Sequence, residues 1–534
     1  MTAVLARAAR RSGLPEWALA TLGVGLVAQA LTVTAVAWDV AWHVDSGRDP
    51  SQITPVHLFI LAALGLIVAA GLAGMSVANA SGFEAGLRFR NLALPWSAVL
   101  VLLGGFAAFA GMPLDELWHR NYGVDLTMWG PTHLLMIGGG NLAALGLWMV
   151  LAEARVPARG WGWLAHFAAA CCMLAQLHVF QGEFDFGVPL FQLLYQPVLT
   201  VIAAGVVLVA ARVVLGRGGA LAVAAGYLGF RLLLAGFVGG VLDHTTPYVP
   251  LHLASAVAVE GVAAMLGTGR RLRFGAAAGL AVATVGLAGE RMWVNAFAPH
   301  RWGGGLVPEL FVVGGLAALG AGLLGAGLGG LAGRTAALPA GALATGAAAV
   351  VLALAVPFPR TAGNVDAEMR LERQDGRAAI ELRLTPPGAA AGARWFEAFA
   401  WQGGGVVRAG MEPAGPGRWR SRGTVPVTGR WKTVVRLHRG SDLMAFPVYA
   451  PADPAIHAPA VPALALRRVA GTADADVLLR EVHPGPAWPA AVAWAGIAAM
   501  VSAWAVAIGA AGRLHRSSCM RASTPARIPG MPIA

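Results

Sequence analysis

Long apolar segments alternate with short polar loops along most of the chain. A helix needs about 20 apolar residues to cross a bilayer, and twelve segments approach or exceed that length. They lie at 15–38, 53–77, 93–113, 131–153, 162–180, 190–213, 219–240, 247–267, 274–290, 306–328, 337–356 and 487–511. The pattern predicts an all-α polytopic membrane bundle of about 12 transmembrane helices, eleven of them within 15–358.

Residues 360–485 follow a different pattern. Charged residues become more frequent, and short stretches such as Ala379–Leu384 alternate apolar and polar positions between glycines and prolines. Alternation with period two and frequent turn residues is typical of a small β-sandwich. The sequence therefore predicts a β-sandwich domain inserted before the last helix, 487–511.

Charge is distributed asymmetrically between the loops. The net charge is +12 although only 12% of residues are charged. Arginines fill every second loop: Arg88, Arg90, Arg155, Arg159, Arg212, Arg217, Arg270, Arg271, Arg273 and Arg334. By the positive-inside rule, residues 1–14 and the basic tail 512–534 are predicted to be cytoplasmic and the β-domain to lie outside. The positive charge thus reflects topology, and no nucleic-acid partner is expected.

One polar motif occurs twice, each time where one apolar segment ends and the next begins. Both copies have the form Asp-x3-His-x13-His, with Trp before the first His and Pro two residues before the second. Asp49 and Asp125 also occupy equivalent positions in the two copies. The repeat predicts duplicated helical hairpins at 15–77 and 93–153. The six repeated residues are Asp39, His43, His57, Asp115, His119 and His133.

These residue types suit a metal ion. An Asp and a His four apart on a helix lie on one face, and the following helix would bring the second His back to them. A carboxylate with two imidazoles is a ligand set for copper, zinc or non-haem iron, and three ligands leave a coordination position open. A single Asp-x3-His is more often a helix cap or a surface polar pair. Two copies favour metal binding, because ionisable groups near lipid are costly.

Other polar residues carry weaker signals. A possible accessory polar cluster or metal entry path, for which ordinary loop polarity is an equal explanation, comprises His178, Glu183, Asp185, Asp243, His244 and His252. Arg231 and Glu260 lie at similar predicted depths in neighbouring spans, so a buried and mainly structural ion pair is expected between them. The outer domain contains potential copper ligands without a ligand pattern, namely His438, His457, His483, Met411 and Met444.

The first motif resembles the Asp-x2-Trp-His … Arg-Asp … Thr-Pro-x-His signature of the C subunit of copper membrane monooxygenases, the particulate methane and ammonia monooxygenases. The similarity covers about residues 38–136. It implies that Asp39, His43 and His57 hold one copper ion. The second motif resembles the neighbouring site of that subunit, with Asp115 where the family has Asn. The first copy also has one more residue between its histidines than the family pattern.

A second resemblance lies in the β-domain. Gly417-Arg418-Trp419 and Gly429-Arg430-Trp431 resemble the YtkA-like modules found beside bacterial copper-handling membrane proteins. That similarity covers a few dozen residues. It implies a domain that handles copper or docks a metal donor outside the cytoplasm.

The sequence thus predicts a multi-pass metalloprotein of the bacterial cytoplasmic (inner) membrane, with copper as the expected cofactor and zinc or non-haem iron as alternatives. The resemblance implies hydroxylation of a small apolar substrate with dioxygen, alone or with other monooxygenase subunits. The alternatives are copper transport or assembly with an outer docking domain, and a membrane subunit whose polar motifs only dock partners. No general base or nucleophile of the hydrolytic type stands out, so the catalytic residues stay unknown.

Overall fold

The structure is a computed structural model that describes residues 2–49, 53–84, 86–124, 127–335, 338–502 and 505. Within these residues, nine helices are long and apolar enough to cross a membrane. Three shorter apolar helices lie in the other predicted segments. The chain is therefore a multi-pass membrane protein, whereas the count of twelve crossings stays a prediction. The predicted tail 512–534 lies outside the described residues.

The helices follow the apolar pattern closely. A short helix, Thr2–Ser12 (α1), precedes the bundle. The nine long helices are Glu16–Ser46 (α2), Pro55–Ala80 (α3), Trp96–Tyr122 (α4), Pro131–Glu153 (α5), Trp161–Asp185, Tyr195–Leu215, Gly219–Val241, Arg271–Phe297 and Gly304–Ala332. The shorter ones are Leu253–Leu266, Ala340–Ala355 and Ala487–Ser502. A small hairpin of Leu87–Phe89 (β1) and Leu92–Leu94 (β2) joins α3 to α4.

Glycine lets neighbouring helices approach closely in the bundle. A side-chain carbon placed on Gly139 would lie 2.6 Å from the backbone nitrogen of Ala108, and one on Gly104 would lie 2.6 Å from that of Ala143. Small residues permit such backbone contact between helices in lipid, where van der Waals packing replaces the hydrophobic driving force. The α4–α5 contact therefore depends on these two glycines. It also fixes the relative position of the two helices that carry the second motif.

The β-domain begins soon after Ala340–Ala355. Its strands are Asp366–Gln374 (β3), Arg377–Thr385 (β4), Trp395–Trp401 (β5), Val407–Gly415 (β6), Arg418–Ser421 (β7), Val425–Pro426 (β8), Lys432–Arg439 (β9), Asp442–Tyr449 (β10), Leu466–Ala470 (β11) and Thr472–Ala473 (β12). They pair antiparallel in the order β11-β3-β4-β7-β6-β5-β9-β10-β12, with β8 beside β4. The predicted β-rich domain is confirmed.

The apolar side chains that alternate with polar ones along the strands form the core of this domain. Met369 of β3 lies opposite Leu382 of β4, and both side chains are buried. The strands form one continuous path, because β6 pairs with β5 through Val407–Gly410 and with β7 through Met411–Gly415. The result is barrel-like, and the two facing sheets of a sandwich stay a prediction.

The β-domain packs on the ends of the helices that carry the first motif. Gln402 N donates to Val44 O at 3.1 Å and Gly404 N donates to Asp45 O at 2.9 Å. Both carbonyls belong to the last turn of α2, where no further helical amide can reach them. Arg48 adds two bonds to Asp453, at 2.8 and 2.9 Å. The domain thus packs against the end of the bundle at which the first motif lies.

Candidate metal centres

The first motif is assembled by two helix ends and the turn between them. Asp39 and His43 lie on the last turns of α2, which continues eight residues past the predicted end at 38. Gly47, with φ of 85°, ends the helix in a conformation that favours glycine. Thr54 then caps α3 by accepting a bond from His57 N at 3.3 Å. His57 therefore faces back toward Asp39 from the first turn of α3.

The three side chains of the first motif converge at one point. Asp39 Oδ1 lies 3.5 Å from His43 Nε2 and 3.2 Å from His57 Nε2. Metal–nitrogen and metal–oxygen bonds are about 2 Å long, so two ligands of one ion lie within about 4 Å of each other. The observed distances meet this condition. A single ion could accept one bond from each side chain.

The second motif repeats this arrangement on α4 and α5. Gly123, with φ of 80°, ends α4 as Gly47 ends α2. Asp115 uses one oxygen toward each imidazole: Oδ2 is 3.5 Å from His119 Nε2 and Oδ1 is 3.5 Å from His133 Nε2. The predicted duplication therefore gives two sets of three ligand atoms. Within each set these atoms lie within 4.8 Å of one another.

Backbone carbonyls orient one imidazole in each set. Gly47 O lies 2.9 Å from His43 Nδ1, and Thr127 O lies 2.6 Å from His133 Nδ1. A carbonyl can only accept, so Nδ1 must donate, and Nε2 is the nitrogen that faces the carboxylate. Metal-binding histidines commonly hold their second nitrogen in this way. A neutral Nε2 facing a carboxylate oxygen repels it unless a cation lies between them.

The two sets differ in how the carboxylate is supported. Thr132 Oγ1 donates to Asp115 Oδ1 at 2.5 Å, and both residues are buried. The corresponding position in the first set is Val56, which has no hydroxyl group. The two candidate sites therefore have the same ligands but different hydrogen bonding around them.

Both sets line one cavity of about 600 Å³. Trp401 and Leu479, from the β-domain region, also contribute to its wall. The rest of the wall is largely apolar and includes Val36, Val40, Ile60, Leu64, Ile137, Val179, Val188 and Leu190. Three methionines, Met112, Met128 and Met136, line it as well. A small apolar molecule in this cavity would contact the surroundings of both sets.

The structure divides the predicted accessory cluster among several places. His178 Nε2 lies 3.3 Å from Asp185 Oδ2, and the His252 ring packs edge-on against the His178 ring. Glu183 instead lines the shared cavity and accepts bonds from Thr127, Met128 and Leu190. His244 pairs with Asp45 at 3.0 Å. Asp243 is exposed. The six residues therefore do not form one site.

The predicted Arg231–Glu260 ion pair is wrong. Arg231 donates to Asp185 at 2.7 Å, whereas Glu260 pairs with Arg212 at 2.8 Å. The predicted span 247–267 becomes a helix only from Leu253. Glu260 consequently reaches the beginning of the preceding helix, where it accepts bonds from Gly218 N and Ala220 N.

His438 of the β-domain has structural partners on both ring nitrogens. His438 Nδ1 lies 3.1 Å from Asp442 O, and Nε2 accepts a bond from Leu193 N at 3.1 Å. Burial lowers the pKa of His438 to about 3. Met444 is fully buried in the core, and His457 is exposed. Among the described residues, no set of three ligands other than the two motifs is found.

The sequence shows that Asp49 and Asp125 occupy equivalent positions in the repeat, but it did not place Asp49 in a site. In the structure Asp49 lines the cavity, and its Oδ2 lies 3.7 Å from His57 Nε2. The position of Asp49 in the repeated motif was the sequence signal that could have indicated its place in the site. Asp125 lies outside the described residues. Sequence reasoning also missed Thr132 and Trp401, because only the tertiary contacts bring them to the motifs.

No protein-family model, curated protein or solved structure matches this chain. The function must therefore be inferred from the geometry of the two sets and their cavity.

Proposed function

We propose that this chain is a copper protein of the bacterial cytoplasmic membrane that oxidises a small apolar substrate with dioxygen. The observation that supports this most is the shared cavity: two Asp-His-His sets open onto one largely apolar space of about 600 Å³. A structural ion pair would need no such space. The relation to the C subunit of copper membrane monooxygenases is part of this proposal, as is an orientation with the β-domain outside and both termini cytoplasmic.

The residues have separate roles in this proposal. Asp39, His43 and His57 would hold one copper ion, and Asp115, His119 and His133 would hold the other. A reduced copper ion held there would supply electrons to dioxygen, and an external reductant would restore the reduced metal. The apolar wall binds the substrate and excludes water, while the carbonyls of Gly47 and Thr127 keep two imidazoles in orientation.

The three cavity methionines support copper over zinc or iron. Thioether sulfur is a soft ligand and selects Cu(I), whereas carboxylate and imidazole accept several metals. Met112, Met128 and Met136 provide this chemistry in the wall of the cavity that both sets line. The same observation favours the second candidate, a copper transport or assembly protein that receives Cu(I) from a donor.

Metal analysis of the purified protein in lipid nanodiscs tests the proposal. After reconstitution with Cu, Zn and Fe in separate samples, wild type should hold about two copper ions per chain. His43→Ala and His119→Ala should each hold about one fewer. His457→Asn, at an exposed position, is the matched control and should hold two.

Wild-type protein that retains none of the three metals would overturn the proposal. A second measurement separates the two candidates. An oxygenase should consume dioxygen when given a reductant and a small alkane or alkene, and it should keep its copper. A copper carrier should instead release copper to a competing Cu(I) chelator within seconds and consume no dioxygen.

A further inference from the structure

The turn between α2 and α3 places another carboxylate beside the first set. Asp49 Oδ2 lies 3.7 Å from His57 Nε2 and 3.9 Å from His43 Nε2. The Asp49 side chain is 8% exposed. Its other oxygen, Oδ1, accepts a bond from Trp42 Nε1 at 2.8 Å. This bond fixes the carboxylate so that Oδ2 faces the two imidazoles.

We propose that Asp49 is a fourth ligand of the first metal site, which then has two nitrogen and two oxygen donors. The inference rests on the proposed function, because it requires that the first set holds a metal. The distances from Asp49 Oδ2 to His43 Nε2 and His57 Nε2 fall within the limit of about 4 Å for two ligands of one ion. Square-planar or tetragonal sets of nitrogen and oxygen donors are typical of Cu(II).

Charge supports the same assignment. Asp39 Oδ1 and Asp49 Oδ2 both face the two Nε2 atoms, so two negative groups share a partly buried space. Like charges in such a space repel unless a cation separates them. The nearby Arg48 does not provide that cation, because both of its terminal nitrogens bind Asp453. Oδ2 makes no hydrogen bond with the described residues. A divalent metal ion would neutralise both carboxylates.

The test uses the full chain in nanodiscs, loaded with Cu(II) alone, and measures affinity by chelator competition and coordination by electron paramagnetic resonance. In Asp49→Asn, one of the two copper ions should bind more weakly by at least about 10-fold, with a changed spectrum. The other should bind as in wild type, which shows that the chain is folded. Trp42→Phe, which frees the Asp49 carboxylate, should weaken the same copper less.

Glu116→Gln is the matched control. Glu116 lines the same cavity but is paired with Arg120 at 2.7 Å, so its loss should change neither copper. If wild type holds two copper ions and Asp49→Asn leaves both unchanged, the inference fails while the proposed function stands. Loss of both ions in Asp49→Asn would also overturn it. Wild type without copper would instead refute the proposed function.

Discussion

Single atoms around each carboxylate distinguish the two candidate sites. Thr132 gives Asp115 a buried hydroxyl donor, whereas the matching Val56 gives Asp39 none. On the proposal above, Asp49 instead adds an oxygen to the first site. The two copies of one motif would thus have diverged in their surroundings while the ligand residue types stayed the same.

The Thr132 hydroxyl should therefore affect the metal affinity of the second site only. Thr132→Val removes the bond to Asp115 Oδ1 with little change of shape. Loss of such an outer hydrogen bond typically lowers metal affinity by about 10- to 100-fold. Chelator competition on the copper-loaded protein should show this loss for one ion, with the other unchanged.

Thr200→Val is the control for that measurement. Thr200 is also buried, and its hydroxyl bonds Gln181 and the Gln196 carbonyl, which are not motif residues. It should leave both affinities near wild type. Equal weakening by the two variants would mean that Thr132 acts through general packing.

At the scale of elements, helix ends and helix contacts determine where the ligands lie. The α2 and α4 helices each extend about two turns past their predicted apolar ends, and glycines with positive φ then stop them. The second site further depends on how closely α4 approaches α5. Gly104 and Gly139 set that approach.

Gly139→Ala should separate α4 from α5, because the added carbon would meet the Ala108 backbone at 2.6 Å and backbone atoms cannot simply rotate away. Overpacking of this kind destabilises by about 1–3 kcal/mol. The expected result is a lower Tm in nanodiscs and weaker binding of the second copper.

Gly229→Ala offers a matched comparison. A carbon added to Gly229 has nothing within 4 Å, and the residue also lies within a long helix. Its Tm should equal or exceed that of wild type, and its copper content should be unchanged. A Gly139→Ala protein indistinguishable from Gly229→Ala would contradict the role assigned to the close contact.

At the scale of the whole molecule, the β-domain joins the bundle through a buried polar cluster. Glu397 lies 3.1 Å from His300 and 2.9 Å from Arg408. Burial alone would raise the pKa of Glu397, but Arg408 and His300 outweigh it and lower the pKa to about 2. Burial lowers the pKa of His300 to about 4, against the opposing effect of Glu397.

Both shifts predict that acid destabilises the docked structure. The stability contributed by neutral His300 is present above the unfolded pKa of 6.5 and is lost as pH falls toward 4. The stability contributed by ionised Glu397 is lost as the pH falls from 4.5 toward 2. At about 1.4 kcal/mol per pKa unit, the difference for His300 corresponds to a loss of stability on the order of 3 kcal/mol between pH 6.5 and pH 4. Thermal unfolding in nanodiscs should show that Tm decreases as the pH is lowered below 6.5.

His300→Phe should reduce the slope of Tm against pH between 6.5 and 4. It should not abolish that slope, because His438 also has a lowered pKa and titrates in the same window. His457→Asn, at an exposed site, should leave the slope as in wild type. An unchanged slope in His300→Phe would refute the assignment.

The sequence by itself determined the membrane class, the positions of the apolar helices, the change to strands after residue 360, and the pairing of each Asp with its two histidines. These features depend on local period and on contacts between neighbouring elements, which apolar patterning and turn residues encode directly. The hairpin geometry of each motif follows from Gly47, Thr54 and Gly123.

Only the tertiary structure decided which distant residues meet. It brought both motifs to one cavity, placed Trp401 in its wall and Thr132 beside Asp115, and gave Arg231 and Glu260 partners other than each other. These contacts depend on how far each helix is shifted along its neighbours and on where the β-domain docks. Such offsets arise from side-chain packing summed over many residues, and no local pattern in the sequence encodes them.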